Sequence, residues 1–257
     1  DRNVFSQAEQ EKLLREYNEE DRKKLFVVKP LYQRSLIVAA GPFANFLLSI
    51  LIFAFIYMFA GKDFTPAEIQ EVQTESPAYI AGIKSGDLIK SINNREVKSI
   101  MEVSTFINAS SSETIDIEVL RNGNELTLQV KPKFIEGKDS LGNQINKKII
   151  GIKVAPLNEE INRQRLGPAT ALFYAIKETW FVIEASWEFV ISMFKGTGDT
   201  SQLGGPIKIA KITGQVAKFG VVAFLSIMAY ISISLGFINL LPIPMLDGGH
   251  LMFYAFE

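Results

Sequence analysis

The residues best suited to chemistry lie together near the end of the chain, in the stretch NLLPIPMLDGGH. Asn239 precedes two prolines, Pro242 and Pro244, and Asp247 follows them. Because proline lacks an amide donor and disrupts helix geometry, we predict a break in the helix at these prolines. Unwound backbone at membrane depth needs protein or a wet cavity beside it, so an ionisable group there is a candidate functional residue. The alternative role for Asp247 is to cap the helix that follows.

Two long uncharged segments are the elements that would position this stretch. Residues 35–61 contain no charged residue between Arg34 and Lys62, and residues 219–246 contain none between Lys218 and Asp247. About 20 apolar residues suffice for a helix to cross a bilayer. We therefore predict two membrane spans, with two buried helices of a soluble domain as the alternative.

The first of these segments also contains a polar group, in the sequence AAGPFANF. Gly41, Pro42 and Asn45 lie in its first third. Small and amide residues in membrane helices usually mark contacts between helices. Gly41 and Asn45 are therefore expected either to pack against a second helix or to lie close to a functional site.

Composition and charge exclude several classes of function. The 257 residues include no cysteine, so disulfides and thiolate metal sites are excluded. No basic patch with interleaved aromatic residues is present, so we expect no nucleic-acid partner. The polar segment 1–34 carries basic residues close to the first span, which predicts that this segment is cytoplasmic. Residues 62–217 are then predicted to lie outside the cytoplasm.

Residues 64–134 predict a small β-rich domain. AEIQEV and DLIKSINN are typical of strands, and SPAYIAG of a single helical turn capped by Ser76 and ended by Gly82. IMEVSTFINAS has apolar residues at helical spacing. TIDIEVLRNGNELTLQV alternates on both sides of Asn122-Gly123, which predicts a hairpin with a type I′ turn.

The string SPAYIAGIKSGDLIKSINN, followed by this order of elements, resembles a bacterial PDZ domain. The resemblance implies binding of an extended peptide or chain terminus along a sheet edge beside the helix of residues 101–108. The alternative is that the domain only filters substrates by size.

Residues 135–217 are predicted to form an extracytoplasmic linker, loop-like at first with short strand signals. An amphipathic helix is expected at about residues 169–195, where Lys177, Glu184 and Glu188 share one face and Trp180 and Trp187 another. We expect this helix to lie at the membrane interface or to pack under the PDZ domain. A further membrane helix is the alternative.

Three motifs together resemble the site-2 protease family of intramembrane zinc metalloproteases. NLLPIPMLDGGH is similar to its L-D-G motif, AAGPFANF to its G-x-x-x-N-like element, and LGGPIKIAK, at residues 203–211, to the stretch before the L-D-G helix. With a PDZ domain between the spans, the RseP type is the best match. The resemblance implies a multi-pass α-helical membrane protein with an inserted PDZ-like β-rich extracytoplasmic domain. It also implies a bacterial inner membrane, the PDZ domain on the periplasmic side, and single-span membrane proteins as substrates.

The resemblance implies roles for five residues. In the family, two histidines of an H-E-x-x-H motif and the L-D-G aspartate hold Zn²⁺, so Asp247 would be the third protein ligand. Asn239 would hydrogen-bond the substrate or the developing oxyanion. Pro242 and Pro244 would shape the unwound segment that receives the substrate, and Asn45 on the earlier helix would also bind substrate.

One departure from the family pattern concerns histidine. The chain has a single histidine, His250, and no H-E-x-x-H. We therefore expect the chain to be a fragment that alone binds no catalytic zinc and is inactive, with His250 a bystander. A non-catalytic PDZ membrane adaptor or pseudoprotease is the alternative function, and the sequence upstream of residue 1 would discriminate the two.

Overall fold

The computed structural model describes residues 25–110, 112–138, 144–156, 161–194 and 205–256. Predictions for residues 1–24, including the basic residues at 22–24, lie outside this range, as do residues 203 and 204 of the third motif. The chain divides into two compact units, one formed by residues 1–50 and 229–257 and the other by residues 51–228. We call the first the helical unit.

Along the described chain a long α-helix comes first, the strands follow with two short α-helices among them, and four α-helices come last. The helices are α1 (Leu31–Phe59), α2 (Pro77–Ile80), α3 (Ile100–Ala109), α4 (Pro168–Phe194), α5 (Pro206–Val216), α6 (Val221–Leu240) and α7 (Asp247–Phe256). The strands are β1 (Lys62–Asp63), β2 (Ala67–Val72), β3 (Leu88–Ile92), β4 (Arg95–Glu96), β5 (Ile115–Arg121), β6 (Asn124–Val130), β7 (Lys133–Lys138), β8 (Gln144–Ile149), β9 (Ile152–Pro156) and β10 (Arg163–Gln164). Short 3-10 helices cover Phe26–Val28 and Ala217–Phe219.

α1 and α6 are the two helices of the described chain that are long and apolar enough to cross a membrane. α1 begins directly after Pro30, four residues before the predicted span, and ends before Gly61, whose φ is +85°. α6 ends at Leu240, inside the predicted segment, so the expected break in that segment is confirmed.

The six-stranded antiparallel sheet has the order β6-β5-β3-β2-β9, with β4 paired to β3. We call this sheet, with α2 and α3, the sheet unit. Its core comprises the inward-facing residues of the strands and the apolar face of α3, among them Ile69, Ile92, Ile117 and Phe106. Strict alternation in β5 buries Ile115, Ile117 and Val119 and leaves the residues between them partly exposed.

The local signals read from the sequence of the sheet unit are confirmed. The Ser76 hydroxyl accepts a hydrogen bond from the Tyr79 amide and caps α2. α3 forms where the helical spacing was read, and it begins with a capping box of Ser99 and Glu102 that was not predicted. The β5–β6 hairpin turns at Asn122-Gly123, with φ values of +51° and +81°, as a type I′ turn requires.

The sheet extends beyond the predicted limit at residue 134. β9 pairs antiparallel with β2 along its length, and β7 pairs with β8 in a separate hairpin. The short strand signals expected in this region are therefore confirmed at β8 and β9, whereas the loop-like reading is wrong for residues 135–138, which belong to β7. The partner strand of β9 lies 80 or more residues earlier in the chain, so the pairing itself leaves no local pattern in the sequence.

Candidate active site

The break after α6 forms an exposed loop between two helices. Residues 241–246 are irregular, and α7 begins at Asp247. Pro242 and Pro244 are both exposed, as the interpretation of this stretch as an accessible segment requires. Met245 has a φ of +77° and is 95% exposed. A non-glycine residue in this region is strained, so the surrounding structure holds the loop in its conformation.

Gly248 and Gly249 let the start of α7 pack directly onto this loop. A Cβ at Gly248 would lie 2.3 Å from the Leu240 carbonyl oxygen and 2.4 Å from that of Leu241. A Cβ at Gly249 would lie 2.4 Å from the Ile243 carbonyl oxygen. Neither glycine has a left-handed φ, and in this segment that conformation belongs to Met245. The glycines are required because the backbones approach closely.

Asp247 is the first residue of α7 and is half-buried. Within the described residues its carboxylate forms no hydrogen bond or ion pair, and as an acid in the first turn of α7 it favours the positive end of that helix. Its Oδ2 atom lies 3.4 Å from the position that a Cβ would take at Gly41 of α1. Gly41 therefore lines the space around the acid, and the L-D-G and G-x-x-x-N-like motifs meet in the helical unit.

Asn45 lies one turn after Gly41, where α1 and α6 are in contact. The Asn45 carbonyl oxygen accepts a hydrogen bond of 2.9 Å from the Ser232 hydroxyl. A Cβ at Gly236 would lie 2.9 Å from Phe46 Cε1 and 3.0 Å from the Pro42 carbonyl oxygen. The expected packing of the α1 motif against a second helix is therefore confirmed, and Gly41 also lies beside Asp247, whose functional role stays a prediction.

Ser232 and Gly236 were not identified from the sequence. They lie four residues apart on α6, in the small-xxx-small pattern that brings membrane helices close together. Applied to the second apolar segment, this pattern would have identified both.

Asn239 lies in the last turn of α6 and is half-buried. Its side chain makes no hydrogen bond within the described residues. The structure places Asn239, Pro242, Pro244 and Asp247 on one helix–loop–helix segment. A substrate-binding role for any of them remains a prediction.

The described residues do not by themselves fit a zinc ion. Catalytic zinc sites have three protein ligands, and no group of three or more His, Cys, Asp or Glu side chains lies together in the part of the chain that the structure describes. Asp247 can supply one oxygen ligand. His250, three residues later in the sequence, is half-buried and completes no such group.

Comparison with known proteins identifies the family. The sequence profile described as Peptidase family M50 matches residues 8–257. The chain belongs to peptidase family M50. This is the site-2 protease family to which the motifs pointed, so that resemblance is confirmed.

Several bacterial relatives are similar to this M50 chain along most of its length. A protein of Mesorhizobium japonicum, named as a candidate zinc metalloprotease, is 36% identical over 100% of the chain and 70% of its own length. One of Rickettsia conorii with the same description is 37% identical over 95% of the chain and 68% of its own length. Metalloprotease MmpA of Caulobacter vibrioides is 32% identical over 91% and 62%.

The M50 chain thus spans roughly two thirds of the length of these relatives. Among solved structures, the PDZ domain of an SdrC-like protein from Listeria monocytogenes is similar to part of the chain. The match covers 35% of this chain and 88% of that domain. The sequence identity is 22% and the TM-score is 0.28.

Proposed function

We propose that the chain is the substrate-facing part of an intramembrane zinc endopeptidase that cuts single-span membrane proteins. Membership of family M50, together with the place of Asp247 beside Gly41 directly after an exposed helix break, carries the proposal. In such an enzyme zinc, when bound, activates a water molecule and polarises the scissile carbonyl. Asp247 supplies one ligand, and the remaining ligands come from residues other than those described.

The loop of residues 241–246 is the segment that meets the substrate. A peptide bond inside a helix is shielded by the hydrogen bonds of that helix, so the substrate must unwind locally and find new partners. The exposed backbone at Pro242 and Pro244 offers an irregular surface, and the strained conformation at Met245 keeps that surface from continuing as a helix. Asn239 donates a hydrogen bond to the substrate carbonyl from the last turn of α6.

The sheet unit is the PDZ domain of this enzyme, on the extracytoplasmic side of a bacterial inner membrane. It binds an extended peptide or chain terminus at a sheet edge, or it excludes bulky substrates. The lipid bilayer surrounds α1 and α6. The exposure of their apolar side chains supports the proposed bilayer around these helices, since only 17% and 22% of the residues in their most apolar stretches are buried.

Replacement of Asp247 by Ala in the full-length protein tests the proposal. We expect cleavage of a single-span substrate to fall by more than about 100-fold. Loss of a residue that only hydrogen-bonds a zinc ligand costs about 10- to 100-fold, and loss of a ligand itself should cost more. Zinc content should fall as well, while membrane insertion is unchanged.

The matched control is His250→Ala, three residues away on the same helix, which should leave cleavage and zinc content unchanged. Asn239→Ala should slow cleavage and retain zinc. Normal cleavage by the Asp247 variant would refute the ligand assignment. A wild-type full-length protein that binds substrate peptides without cutting them would instead indicate an adaptor or pseudoprotease.

A further inference from the structure

The two connections between the sheet unit and the long helices meet at the end of α1. β1, shortly after α1, pairs antiparallel with β10, shortly before α4. The Leu166 amide donates a hydrogen bond of 3.0 Å to the Tyr57 carbonyl oxygen, and the Phe64 amide donates one of 2.8 Å to the Asn162 carbonyl oxygen. Domains joined by linkers move relative to one another by default, and here the pairing of the two linkers restricts that motion.

The ammonium group of Lys62, the first residue of β1, is enclosed between three helices. Its Nζ atom lies 3.6 Å from Glu102 Oε1 of α3 and 3.5 Å from Glu178 Oε2 of α4. The ring centroids of Tyr57 of α1 and Tyr174 of α4 lie 5.1 Å and 5.7 Å from the same atom. Because the Lys62 side chain is only 11% exposed, these groups balance its charge in place of water.

The two carboxylates that hold this ammonium group also make contacts of their own. Glu102 accepts hydrogen bonds of 2.7 Å from the Lys98 amide and 3.3 Å from the Ser99 amide, so it fixes the start of α3. Glu178 accepts a hydrogen bond of 3.2 Å from the Tyr57 hydroxyl near the end of α1. The ammonium group between them therefore joins the start of α3 to both α1 and α4.

The charges make this position sensitive to substitution. Burial raises the pKa of Glu102 above its ordinary value, although the hydrogen bond from the Lys98 amide and the charge of Lys62 act in the opposite direction. The charge of Glu178 raises it further. Without the ammonium group, the two partly buried carboxylates would repel each other across the space that it occupies, and α3 would lose its attachment to the other two helices.

We propose that Lys62 is a positioning residue that locks the sheet unit and the last turns of α1 into one body. The lock has two parts, which are the paired strands β1 and β10 and the ammonium group between α1, α3 and α4. A displacement of α3, the wall of the predicted peptide groove, would reach α1 through this group, because the same ammonium contacts both helices. The lock needs no zinc, substrate or bilayer, so it stands or falls separately from the proposed catalytic activity.

Distances between two spin labels, measured by pulsed electron paramagnetic resonance, test the lock. The chain has no cysteine, so Leu51→Cys on α1 and Asn124→Cys at the β5–β6 turn give a single labelled pair in the full chain in detergent micelles. Both positions are exposed. We expect one narrow distance distribution for the otherwise wild-type chain. Lys62→Met should lose this narrow peak, and Lys62→Arg should retain it, because a guanidinium group keeps the positive charge between the carboxylates.

Lys131→Met provides the control, because its ion pair with Glu113 is exposed, and this variant should keep the narrow peak. Hydrogen exchange of β3 and β5 separates loss of the lock from unfolding. Lys62 lies outside the core of the sheet unit, so its replacement should leave this exchange unchanged.

Three results would overturn the proposal. A broad distribution in the wild type would show that no lock exists. A narrow peak in Lys62→Met would show that the paired strands suffice without the ammonium group. Faster exchange of β3 and β5 in Lys62→Met would show that this residue stabilises the sheet unit itself and does not position it.

Discussion

In the sheet unit Ile69, Ile92 and Ile115 are completely buried, whereas in α1 Leu36 and Leu47 are 66% and 59% exposed. Large aliphatic side chains are thus packed against protein in the sheet unit and exposed at the surface of α1. The sheet unit buries its apolar residues in a core of its own, and this burial supplies its main driving force for folding. α1 and α6 leave theirs exposed, as the proposed bilayer around these helices would require.

The carboxylates of the two regions differ in the same way. Asp87 in the sheet unit is fully buried and is held by two hydrogen bonds from Arg121 and one from the Lys84 amide. Asp247 in the helical unit has no such partner within the described residues. The contrast separates a carboxylate that maintains the fold from one whose proposed role is to bind zinc.

The largest expected effect comes from Gly248→Ala in the helical unit. Its Cβ would collide with two backbone carbonyl groups, which cannot move aside as a flexible side chain could. We expect the full-length protein to lose cleavage of a single-span substrate almost completely. Gly214→Ala on α5 is the matched control, because no atom lies within 4 Å of its Cβ position. Full activity of the Gly248 variant would mean that the loop and α7 do not pack as described.

A smaller effect is expected from Asp87→Asn in the sheet unit. Breaking a buried ion pair costs about 3 kcal/mol, because the remaining charge loses its partner. Hydrogen exchange of β3 and β5 in the detergent-solubilised chain measures the loss. Glu113→Gln is the control, since its ion pair with Lys131 is exposed and its loss should leave exchange unchanged. Equal exchange in the Asp87 variant and the wild type would contradict a structural role for this pair.

The same experiment has a predicted pH dependence. Burial by itself would raise the pKa of Asp87, but the hydrogen bonds and charge of Arg121, with the Lys84 amide, lower that pKa below its usual value. Because the pKa of Asp87 is lower in the folded state, its ionised carboxylate stabilises the sheet unit at pH values above its unfolded-state pKa of about 4. This stabilisation is lost as the pH falls through the folded pKa. As the pH falls through this range, β3 and β5 of the wild type should lose protection from hydrogen exchange. In Asp87→Asn the part of this pH dependence that comes from Asp87 should be absent.

The smallest expected effect is that of Ser232→Ala, which removes the hydrogen bond to the Asn45 carbonyl oxygen. Hydrogen bonds between membrane helices contribute about 0.6 kcal/mol on average. The free energy of unfolding, measured in mixed micelles, should decrease by this amount. Ser226→Ala is the matched control on the same helix, because its hydroxyl bonds only to Val222 of α6. A decrease as large as that for Asp87→Asn would show that the helical unit depends on polar contacts more than the comparison implies.

The local elements could be predicted because their causes are local. Ser76-Pro77 begins a helix and Asn122-Gly123 makes a type I′ turn through the preferences of those residues alone. The break at Pro242 and Pro244 is equally local, because a missing amide cannot be restored by distant residues. The pairing of β9 with β2 could not be predicted, because it joins segments 80 or more residues apart in the chain.

The sequence by itself determined the two apolar segments, the helix break, the hairpin and the M50 motifs, since each depends on residue type and short spacing. Only the tertiary structure decided that Gly41 faces Asp247, that Gly248 is needed for space and not for turning, and that Ser232 reaches Asn45. The first and last of these facts depend on distances between segments about 190 to 210 residues apart, and the second depends on how α7 packs onto the loop before it. Such distances follow from how whole helices pack, and the spacing of residues along the chain does not record that packing.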